Sequence, residues 1–511
     1  MSFLKSFPGL SRKESSRPEL QKPKKIKPNL DLLGFDLLFQ LTHLSAVAAA
    51  GVTRAKLFKI AAAIPSTTAH YFDEIDQIVT TMNYQYAEAC RVVGERAQEE
   101  DVQGFFLRFS SALNSGENEA DFLAAEAEIQ ADSYGNVYER QLESLKKWTD
   151  AFTALIVSAA LIIVVATVST MIFDLGTTFV GGLVLSMIGI SGMGVWIIYR
   201  ASPRELRTLT GERALRSQGK TKKAFTLLLP AAFVLASLMA LFGMSFGAML
   251  IGFGVTIIPV GVLARRLDRQ ITKVDQDVST FVRVLGATVS AIGTTPVVAI
   301  GRMDMRAMPT LTKYVAELRT RLVARIGTTL SWDRLVDETG SELVRRSLRV
   351  FLDGTSMGGD ADEVGKLTAV MGLKLNQLRA KRRLVADSFA YLSLAMHIVI
   401  SFLLIFIIEV VNGFNTLIAT ANVDIAGGSG AALGAVLSFN LANLRFLQYS
   451  MAPVVIVLGV VNALAPKIAS GGYSHTFYYH LGLNMALSGV ALVIAPVLAG
   501  VIFQAGTAVP N

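Results

Sequence analysis

Four apolar runs of about 20 residues, each long enough for one membrane crossing, follow one another in the first half of the chain. They are Ala151–Phe173, Phe179–Tyr199, Ala224–Met244 and Gly247–Ala264. An α-helix of this length crosses a hydrocarbon core of about 30 Å. The runs therefore predict a block of four transmembrane helices over residues 151–264.

Positive charge is concentrated on one side of this block. The loop between the second and third runs, residues 200–223, contains eight Lys and Arg residues, whereas the turns Asp174–Thr178 and Ser245–Phe246 contain none. Short loops rich in Lys and Arg stay in the cytoplasm. We therefore expect this basic loop, the N-terminus and the polar segments on either side of the block to be cytoplasmic.

Three further apolar runs bring the predicted total to about seven transmembrane helices. They are Ser388–Val411, Gln448–Leu464 and Leu481–Phe503. The segment Asn412–Leu444 contains no Lys or Arg, as expected for a segment outside the cell. This order places the C-terminus outside, and Ala431–Leu441 is apolar enough to form an additional interfacial helix.

Two polar segments, residues 30–150 and 265–386, have apolar residues at three- and four-residue steps, which is typical of amphipathic helices. A long charged helix, Glu119–Trp148 or Asp362–Leu384, leads from each segment into the next span. The predicted fold is an all-α polytopic membrane protein. Two cytoplasmic helical-bundle domains are inserted between its transmembrane helices.

The same patterns divide the chain into five segments. Residues 1–29 are basic, contain several prolines and predict a flexible arm. Residues 30–150 form the first helical domain, 151–264 the four spans with their basic loop, 265–386 the second helical domain and 387–511 a membrane domain of about three spans.

The two helical domains look like copies of each other. A shift of 242 positions places Gly51 on Gly293 and Gly116 on Gly358, each between two predicted helices. Repetition over a whole domain constrains the architecture more strongly than a short motif does. We therefore expect the two domains to be homologous.

Acidic residues follow the second repeated glycine in each copy. They are Glu117 in the first copy and Asp360 in the second, where Gly359 intervenes directly after Gly358. A carboxylate at this place can cap the helix that follows, because the helix dipole favours negative charge there. A docking or cation site is the alternative interpretation.

Composition narrows the classes of function. The chain has 511 residues, 52% of them hydrophobic, and a formal net charge of +8. The basic residues are not interleaved with aromatic ones, so they suit lipid headgroups or an acidic partner better than nucleic acid. The single cysteine, Cys90, excludes an intramolecular disulfide, and the five His residues have no metal-binding spacing. We expect no metal and no cofactor.

Catalytic motifs do not support an enzyme. Gly219–Thr221 resembles the end of a phosphate-binding loop, but Ala214 stands where that motif requires glycine, and no strand precedes it. No nucleophile elbow or Cys/His pairing occurs. We therefore expect a protein that is not an enzyme.

Two ionisable residues lie inside the fifth span, His397 and Glu409. An ionisable group within a membrane is expensive to desolvate and is a candidate functional residue for that reason. For His397 we favour a neutral, hydrogen-bonded packing role over a proton relay. Glu409 is close enough to the outer end of the span to reach the headgroups.

Basic residues of the second domain form a candidate docking surface for an acidic cytoplasmic partner. They are Arg302, Arg306, Lys313, Arg319, Arg321, Arg325, Arg345, Arg346 and Arg349. A solvated surface without a partner is the alternative. The basic residues at positions 379–383 lie beside a span, and we expect them to contact lipid headgroups.

The arrangement resembles the type II secretion F family, the platform proteins of type IV pilus, Tad pilus and archaellum machines. Its two-domain form is similar to the platforms of archaella and of archaeal and Tad-type pili. The resemblance covers most of residues 30–410. It is carried by Leu37–Ala50 before Gly51-Val52, Phe105–Leu113 before Gly116-Glu117, Phe281–Ile292 before Gly293, and Leu348–Leu352 before Gly358 and Asp360.

The resemblance implies a mechanical part. A hexameric secretion ATPase would dock on the cytoplasmic domains, and the spans would help to lift pilin-like or archaellin-like subunits from the lipid bilayer into a filament. Such platforms act as small oligomers, which implies a homodimer. The alternatives are a secondary transporter with repeated halves and a membrane-tethered scaffold or sensor. The purpose of the filament, motility or adhesion among others, stays open.

Overall fold

The computed structural model describes residues 32–169, 176–209, 214–424 and 441–507. Within these ranges the chain is helical and has no β-strand, apart from an isolated antiparallel bridge between Thr208 and Ser341. The all-α prediction is therefore confirmed for the described part. The predicted N-terminal arm, residues 425–440 of the segment expected to lie outside the cell, which include all but the last residue of the predicted interfacial helix Ala431–Leu441, and the C-terminus fall outside the described residues.

A first helical lobe precedes the first apolar run. Its helices are α1 (Leu33–Ala48), α2 (Arg54–Ala63), α3 (Ala69–Met82), α4 (Tyr86–Arg96), α5 (Glu100–Ser115) and the N-terminal half of α6 (Glu119–Ser169). Their apolar faces enclose a cluster of phenylalanines, in which the rings of Phe105 and Phe106 are 4.9 Å apart and those of Phe58 and Phe109 are 5.8 Å apart. Burial of these rings stabilises the lobe.

The chain then enters the apolar part and leaves it again. Helices α7 (Gly176–Ala201) and α8 (Ala214–Leu241) are followed by α9 (Phe246–Ile292), whose C-terminal half extends into a second lobe. The side chain of Ser245 accepts a hydrogen bond from the backbone N–H of Ala248 and caps α9, and Gly293 ends it in the left-handed conformation with φ of 64°.

The second lobe is built from shorter helices between two long ones. After α9 come α10 (Pro296–Ala299), a 3-10 turn (Ile300–Arg302), α11 (Thr312–Val323), α12 (Thr328–Thr339), α13 (Glu342–Ser356) and the N-terminal half of α14 (Ala361–Asp424). The chain ends with α15 (Leu441–Ser470) and α16 (Phe477–Thr507).

Seven helices in the described part are long and apolar enough to cross a membrane: α6, α7, α8, α9, α14, α15 and α16. This agrees with the number predicted from the apolar runs. Three of them, α6, α9 and α14, are also part of a lobe and pass from one region to the other without a break.

The lobes repeat each other in detail. Left-handed turns recur 242 positions apart, with φ of 66° and 64° at Gly51 and Gly293, 77° and 102° at Gly116 and Gly358, and 56° and 55° at Asn83 and Arg325. Residues 242 positions apart also meet: Lys374 Nζ lies 2.8 Å from Asp132 Oδ1, and Lys381 Nζ lies 2.6 Å from Glu139 Oε1. Helices α6 and α14 therefore lie side by side, parallel and in register.

The two lobes share one packed boundary. Helix α1 is buried along nearly its whole length because α6 covers one side of it and α13 covers another. Arg346 of α13 bonds Asp36 of α1 at 2.6 Å, and His43 Nε2 lies 2.9 Å from Asp353 Oδ2. The sequence patterns gave two separate domains, but these bonds join them into one body.

Glycines hold α9 close to its neighbours on both sides of the bilayer boundary. In the apolar part, a Cβ atom at Gly254 would lie 2.5 Å from the carbonyl oxygen of Gly482 on α16. In the lobe, a Cβ atom at Gly286 would lie 2.1 Å from the carbonyl oxygen of Ala361 on α14. Such backbone contacts require glycine, and they fix α9 against both partners.

We predict that Gly254→Ala lowers the stability of the protein, because its methyl group would meet backbone atoms that cannot move aside. Overpacking of this kind costs about 1–3 kcal/mol. The matched control is Gly189→Ala on α7, where nothing lies within 4 Å of the added atom. Thermal unfolding in detergent measures both variants, and equal melting temperatures would show that α9 and α16 are not packed this closely.

Candidate functional site

The predicted docking residues of the second lobe divide into two groups. Five of them are exposed to solvent: Arg302, Arg306, Lys313, Arg319 and Arg325. Arg302 belongs to the 3-10 turn, and Arg325 forms the left-handed turn between α11 and α12. These five side chains are available to a partner.

Arg321 is held within the lobe. Its side chain is only 15% exposed and bonds Glu317 and Glu338. Both carboxylates neutralise the guanidinium, so Arg321 contributes little to a basic surface. Arg319 on the same helix and Arg325 in the turn after it are exposed and remain available for that role.

Arg346 corrects the sequence interpretation, which placed it on the docking surface. Its side chain is 3% exposed and bonds Asp36 and Glu342, with the guanidinium 4.3 Å from the ring centre of Phe35. It lies on the inward face of the strongly amphipathic α13, between the buried Leu343 and Val350. It therefore connects the lobes and cannot meet a partner.

A groove at the end of the second lobe brings several predicted residues together. It has a volume of about 1030 Å³ and lies between the C-terminal end of α9, α10, α12, α13 and the start of α14. Gly293, Arg345, Arg349 and Asp360 line it. Arg345 bonds Glu342, and Arg349 Nε lies 3.6 Å from Asp353 Oδ2. The floor is apolar and includes Trp332, Leu348 and Leu352.

The helices of the first lobe that correspond to α12 and α13 pack together without such a groove. There α4 packs directly on α5, and a Cβ atom at Gly94 would lie 3.1 Å from Phe106 Cβ. The positions 242 residues further on are Val336 of α12 and Leu348 of α13, and both line the groove. The helix pair that closes in one copy is therefore separated in the other.

The groove lies far from the apolar part of the molecule. The portion of α9 beyond its apolar run, residues 265–292, is about 42 Å long at 1.5 Å per residue. Gly293 ends this portion, and Asp360 directly precedes α14 at the same end. A partner approaching the lobes from the aqueous side would meet this end first.

The repeated glycine and acid positions act in helix capping. Asp360 Oδ1 accepts hydrogen bonds from Ser290 Oγ and from the backbone N–H of Asp362, and these bonds lower the pKa of Asp360. In the first lobe Asn118, 242 positions earlier, accepts from the N–H of Ala120 at 2.9 Å. The structural counterpart of Asp360 is thus Asn118 and not Glu117, because at the constant offset of 242 positions Glu117 corresponds to Gly359.

A buried group of charges connects the second lobe to the spans; we call Arg379, Arg382, Glu205 and Asp275 the arginine junction. Arg379 Nε lies 2.8 Å from Glu205 Oε2, and Arg379 Nη1 lies 2.8 Å from Asp275 Oδ2. The four side chains are at most 6% exposed. The sequence patterns had placed Arg379 and Arg382 at lipid headgroups, which their burial contradicts.

Arg382 ties three chain segments together. It donates to the carbonyl oxygens of Ala469 at 2.9 Å and Pro203 at 2.7 Å, and to Ser202 Oγ at 2.6 Å. These partners belong to the end of α15 and to the segment after α7. A buried guanidinium needs such a complete set of acceptors, and here backbone carbonyls supply most of them.

Burial and ion pairing have opposite effects on the pKa of the two carboxyl groups of the junction, Glu205 and Asp275. Burial raises the pKa of Asp275 to about 6, against the effect of Arg379 and Ser341. For Glu205, burial also acts to raise the pKa, but Arg379 and Arg382 outweigh it and lower the value. The sequence gives no signal that Glu205 and Asp275, which are 70 positions apart, lie in one cluster, and only the fold shows that both meet Arg379.

His397 lies in a polar cluster between three spans. Its Nε2 is 2.8 Å from Ser488 Oγ and 3.1 Å from the carbonyl oxygen of Asn484, and the amide nitrogen of Asn462 is 3.2 Å from Nδ1. Because a carbonyl only accepts and an amide N–H donates, Nε2 carries the hydrogen and Nδ1 accepts. The ring is thus a neutral hydrogen-bonding bridge between helices. Glu409 is half-buried further along α14.

We predict that Arg379→Gln strongly destabilises the protein, because Glu205 and Asp275 would lose their buried counter-charge. Breaking such a pair costs about 3–5 kcal/mol. The pKa of both carboxyl groups would rise, so they would take up protons in the folded state, and the loss should shrink as the pH falls from 7 to 5.

The matched control for this prediction is Lys381→Gln, on the same helix as Arg379. It removes the exposed ion pair between Lys381 and Glu139 of α6. Exposed pairs contribute little to stability. Thermal unfolding over this pH range measures both variants. If Arg379→Gln melts at the temperature of Lys381→Gln, the arginine junction does not hold the lobe to the spans.

Comparison with known proteins relates this architecture to two archaeal proteins. The chain is 22% identical to flagella accessory protein J of Methanococcus voltae over 442 residues, which cover 84% of this chain and 78% of that protein. It is 22% identical to flagella accessory protein J of Methanocaldococcus jannaschii over 436 residues, 83% of this chain and 76% of that protein. No family model and no solved structure matches the chain.

Proposed function

We propose that this protein is a membrane platform of a filament-assembly machine of the archaellum or type IV pilus class, with the architecture of the type II secretion F family. The platform passes the movements of a cytoplasmic hexameric ATPase to membrane helices that handle pilin-like or archaellin-like subunits. The observation that most supports the proposal is that α6, α9 and α14 run without a break from the lobes into the spans. The names of the two archaeal relatives support the choice of an archaellum-related machine.

Mechanical coupling follows from the continuity of three helices. Helices α6, α9 and α14 have 51, 47 and 64 residues and enter the lobes without a break. Their partners hold them by glycine contacts and by the arginine junction. A force on the lobes would therefore tilt or rotate the spans as one packed body, because packed helices move as units.

The lobes are proposed to lie in the cytoplasm. Lys and Arg are concentrated at the lobe end of the spans, for example at Arg200, Arg204 and Lys222, and this is the end that stays inside by the positive-inside rule. The N-terminus lies on the same side, and the C-terminus lies outside. The protein is thus a multi-pass protein of the cell membrane.

The ATPase is proposed to dock at the groove end of the second lobe. The exposed Arg302, Arg306, Lys313, Arg319 and Arg325 supply a basic surface that attracts an acidic partner. The groove lies at the Arg325 end of this surface, where Thr328 and Thr329 line it, whereas Lys313 lies at the other end of α11. The groove supplies an apolar pocket of the kind that holds a partner's side chains. The filament subunits would meet the spans within the bilayer, and a homodimer is the proposed assembly.

The role is not enzymatic in this proposal, and nucleic acid is not a partner. A secondary transporter with repeated halves would use discontinuous helices around a midplane site. The spans formed by α6, α9 and α14 are continuous instead, and the repeat lies in the lobes. A scaffold or sensor without a motor partner would leave the groove and the basic surface unused.

We predict that Arg319→Glu combined with Arg325→Glu weakens binding of the proposed partner, a secretion ATPase from the same organism, by about tenfold, and that the loss diminishes at high salt. Both side chains are exposed, so folding should not change. The control is Arg91→Glu with Arg96→Glu, the same charge change on exposed positions of the first lobe. Pull-down in mild detergent measures binding, and unchanged affinity in the first variant would refute this docking surface.

We also predict that Thr355→Phe, which fills the groove, weakens ATPase binding at unchanged charge. The matched control is Thr320→Phe on α11, outside the groove. Both threonine hydroxyls donate to the carbonyl oxygen four residues earlier, at 2.7 Å and 3.0 Å. Equal binding of the two variants would show that the partner does not enter the groove.

A further inference from the structure

The groove of the second lobe has a filled counterpart in the first lobe. Helices α4 and α5 of the first lobe correspond to α12 and α13, 242 positions later. Aromatic rings of α4 and α5 pack into the core of the first lobe: Tyr86 stacks on Phe58 with ring centres 4.7 Å apart, and the ring of Phe106 lies 5.1 Å from that of Phe72. The first lobe therefore shows which side chains this arrangement of helices holds in its core.

Two of these rings are missing from the second lobe. The positions of Tyr86 and Phe106 correspond to Thr328 and Leu348, and both of these smaller side chains line the groove. Thr328 is exposed, whereas Phe106 is buried in the first lobe. The groove of about 1030 Å³ therefore lies where the first copy places two aromatic side chains of its own. A ring supplied from outside the lobe can occupy this space.

Larger side chains on α12 keep the groove open. Val336 corresponds to Gly94, where even a Cβ atom would lie 3.1 Å from Phe106 Cβ. A valine at this position prevents α12 from packing on α13 as closely as α4 packs on α5, because a packed core has no room for the added methyl groups. Trp332, which corresponds to Cys90, also separates the two helices and lines the groove. The open groove is thus specified by the side chains of α12.

The surroundings of the groove favour an aromatic side chain with acidic neighbours. Trp332 lines the apolar floor and offers its ring to a second aromatic ring. Arg325 is exposed three residues before Thr328, at the edge of the groove, and its positive charge attracts carboxylates. Asp333 and Asp353 line the groove itself and disfavour an acidic group inside it. The acidic residues of a partner would therefore lie outside the groove, beside the exposed arginine.

We propose that the groove of the second lobe receives the ring of a Phe or Tyr residue from a segment of the secretion ATPase in which acidic residues flank that ring. This inference rests on the proposed function and names the chemistry of the docking segment. The ring packs on Trp332 and Leu348, and the flanking carboxylates meet Arg325. Buried aromatic anchors of this kind supply a large share of the binding energy of an interface. In the first lobe the chain's own rings take the corresponding places, so that lobe offers no such anchor site.

The first test returns a residue of the first lobe to the groove. Thr328→Tyr in the full-length protein should weaken binding of a purified secretion ATPase from the same organism by about tenfold, because the new ring occupies the anchor site. Thr328 is exposed, so the melting temperature should not fall. The matched control is Thr312→Tyr, the same change at the exposed first residue of α11, outside the groove, and it should bind as the unmodified protein does.

The second test identifies the occupant directly. The photo-reactive residue p-benzoylphenylalanine replaces Thr329, an exposed residue that lines the groove, and the protein is illuminated together with the purified ATPase. Cross-links should map to an ATPase segment that contains a Phe or Tyr flanked by Asp or Glu. Replacing that aromatic residue by alanine in the ATPase should weaken binding to the unmodified protein about as much as Thr328→Tyr does.

The outcomes separate this inference from the proposed function. Binding that survives Thr328→Tyr but is lost in the variant with Arg319→Glu and Arg325→Glu would overturn the aromatic anchor and leave the proposed function standing. A cross-link to residues 1–29 of the chain itself, which include Phe3 and Phe7, or to a second copy of the lobe would assign the groove to another occupant and would also overturn the anchor. If the unmodified protein does not bind the ATPase, the proposed function itself fails.

Discussion

Three helices that pass unbroken from an apolar bundle into polar lobes are the constraint on which this structure depends. Because α14 packs against both α6 and α9, both lobes must lie on the same side of the bundle. The arginine junction closes the same boundary with buried ion pairs, which form only if the lobe, the segment after α7 and the end of α15 meet in one geometry. The lobes cannot turn independently of the spans without breaking these bonds.

The repeat creates two copies that are related but not equivalent. Helices α6 and α14 meet at positions 242 residues apart, which places a local twofold relation along them. The first copy closes α4 onto α5, whereas the second leaves an open groove between α12 and α13. Within the described residues, the two copies therefore differ most clearly in this groove, which is open in the second copy.

The coarse architecture was predictable from the sequence because each part has a local signal. Apolar runs of sufficient length predicted seven spans, and the glycines at positions 51, 116, 293 and 358 predicted turns that do adopt left-handed backbone. Which arginines are buried and which are exposed was not predictable. Arg346 and Arg379 have the same sequence surroundings as exposed arginines, and only the meeting of Asp36, Glu205 and Asp275 from distant segments makes their burial favourable. The groove depends on how two helices are spaced, which has no local signal either.

Sidedness is the most direct test of this account. Single cysteines placed at the exposed Met82, Val323 and Phe242, with the buried Cys90 replaced by alanine, can be treated in intact cells with a membrane-impermeant maleimide. Met82 and Val323 end helices of the two lobes, and Phe242 lies in the turn at the opposite end of the spans. The account predicts labelling at Phe242 in intact cells and at Met82 and Val323 only after permeabilisation. Labelling of either lobe position in intact cells would contradict it.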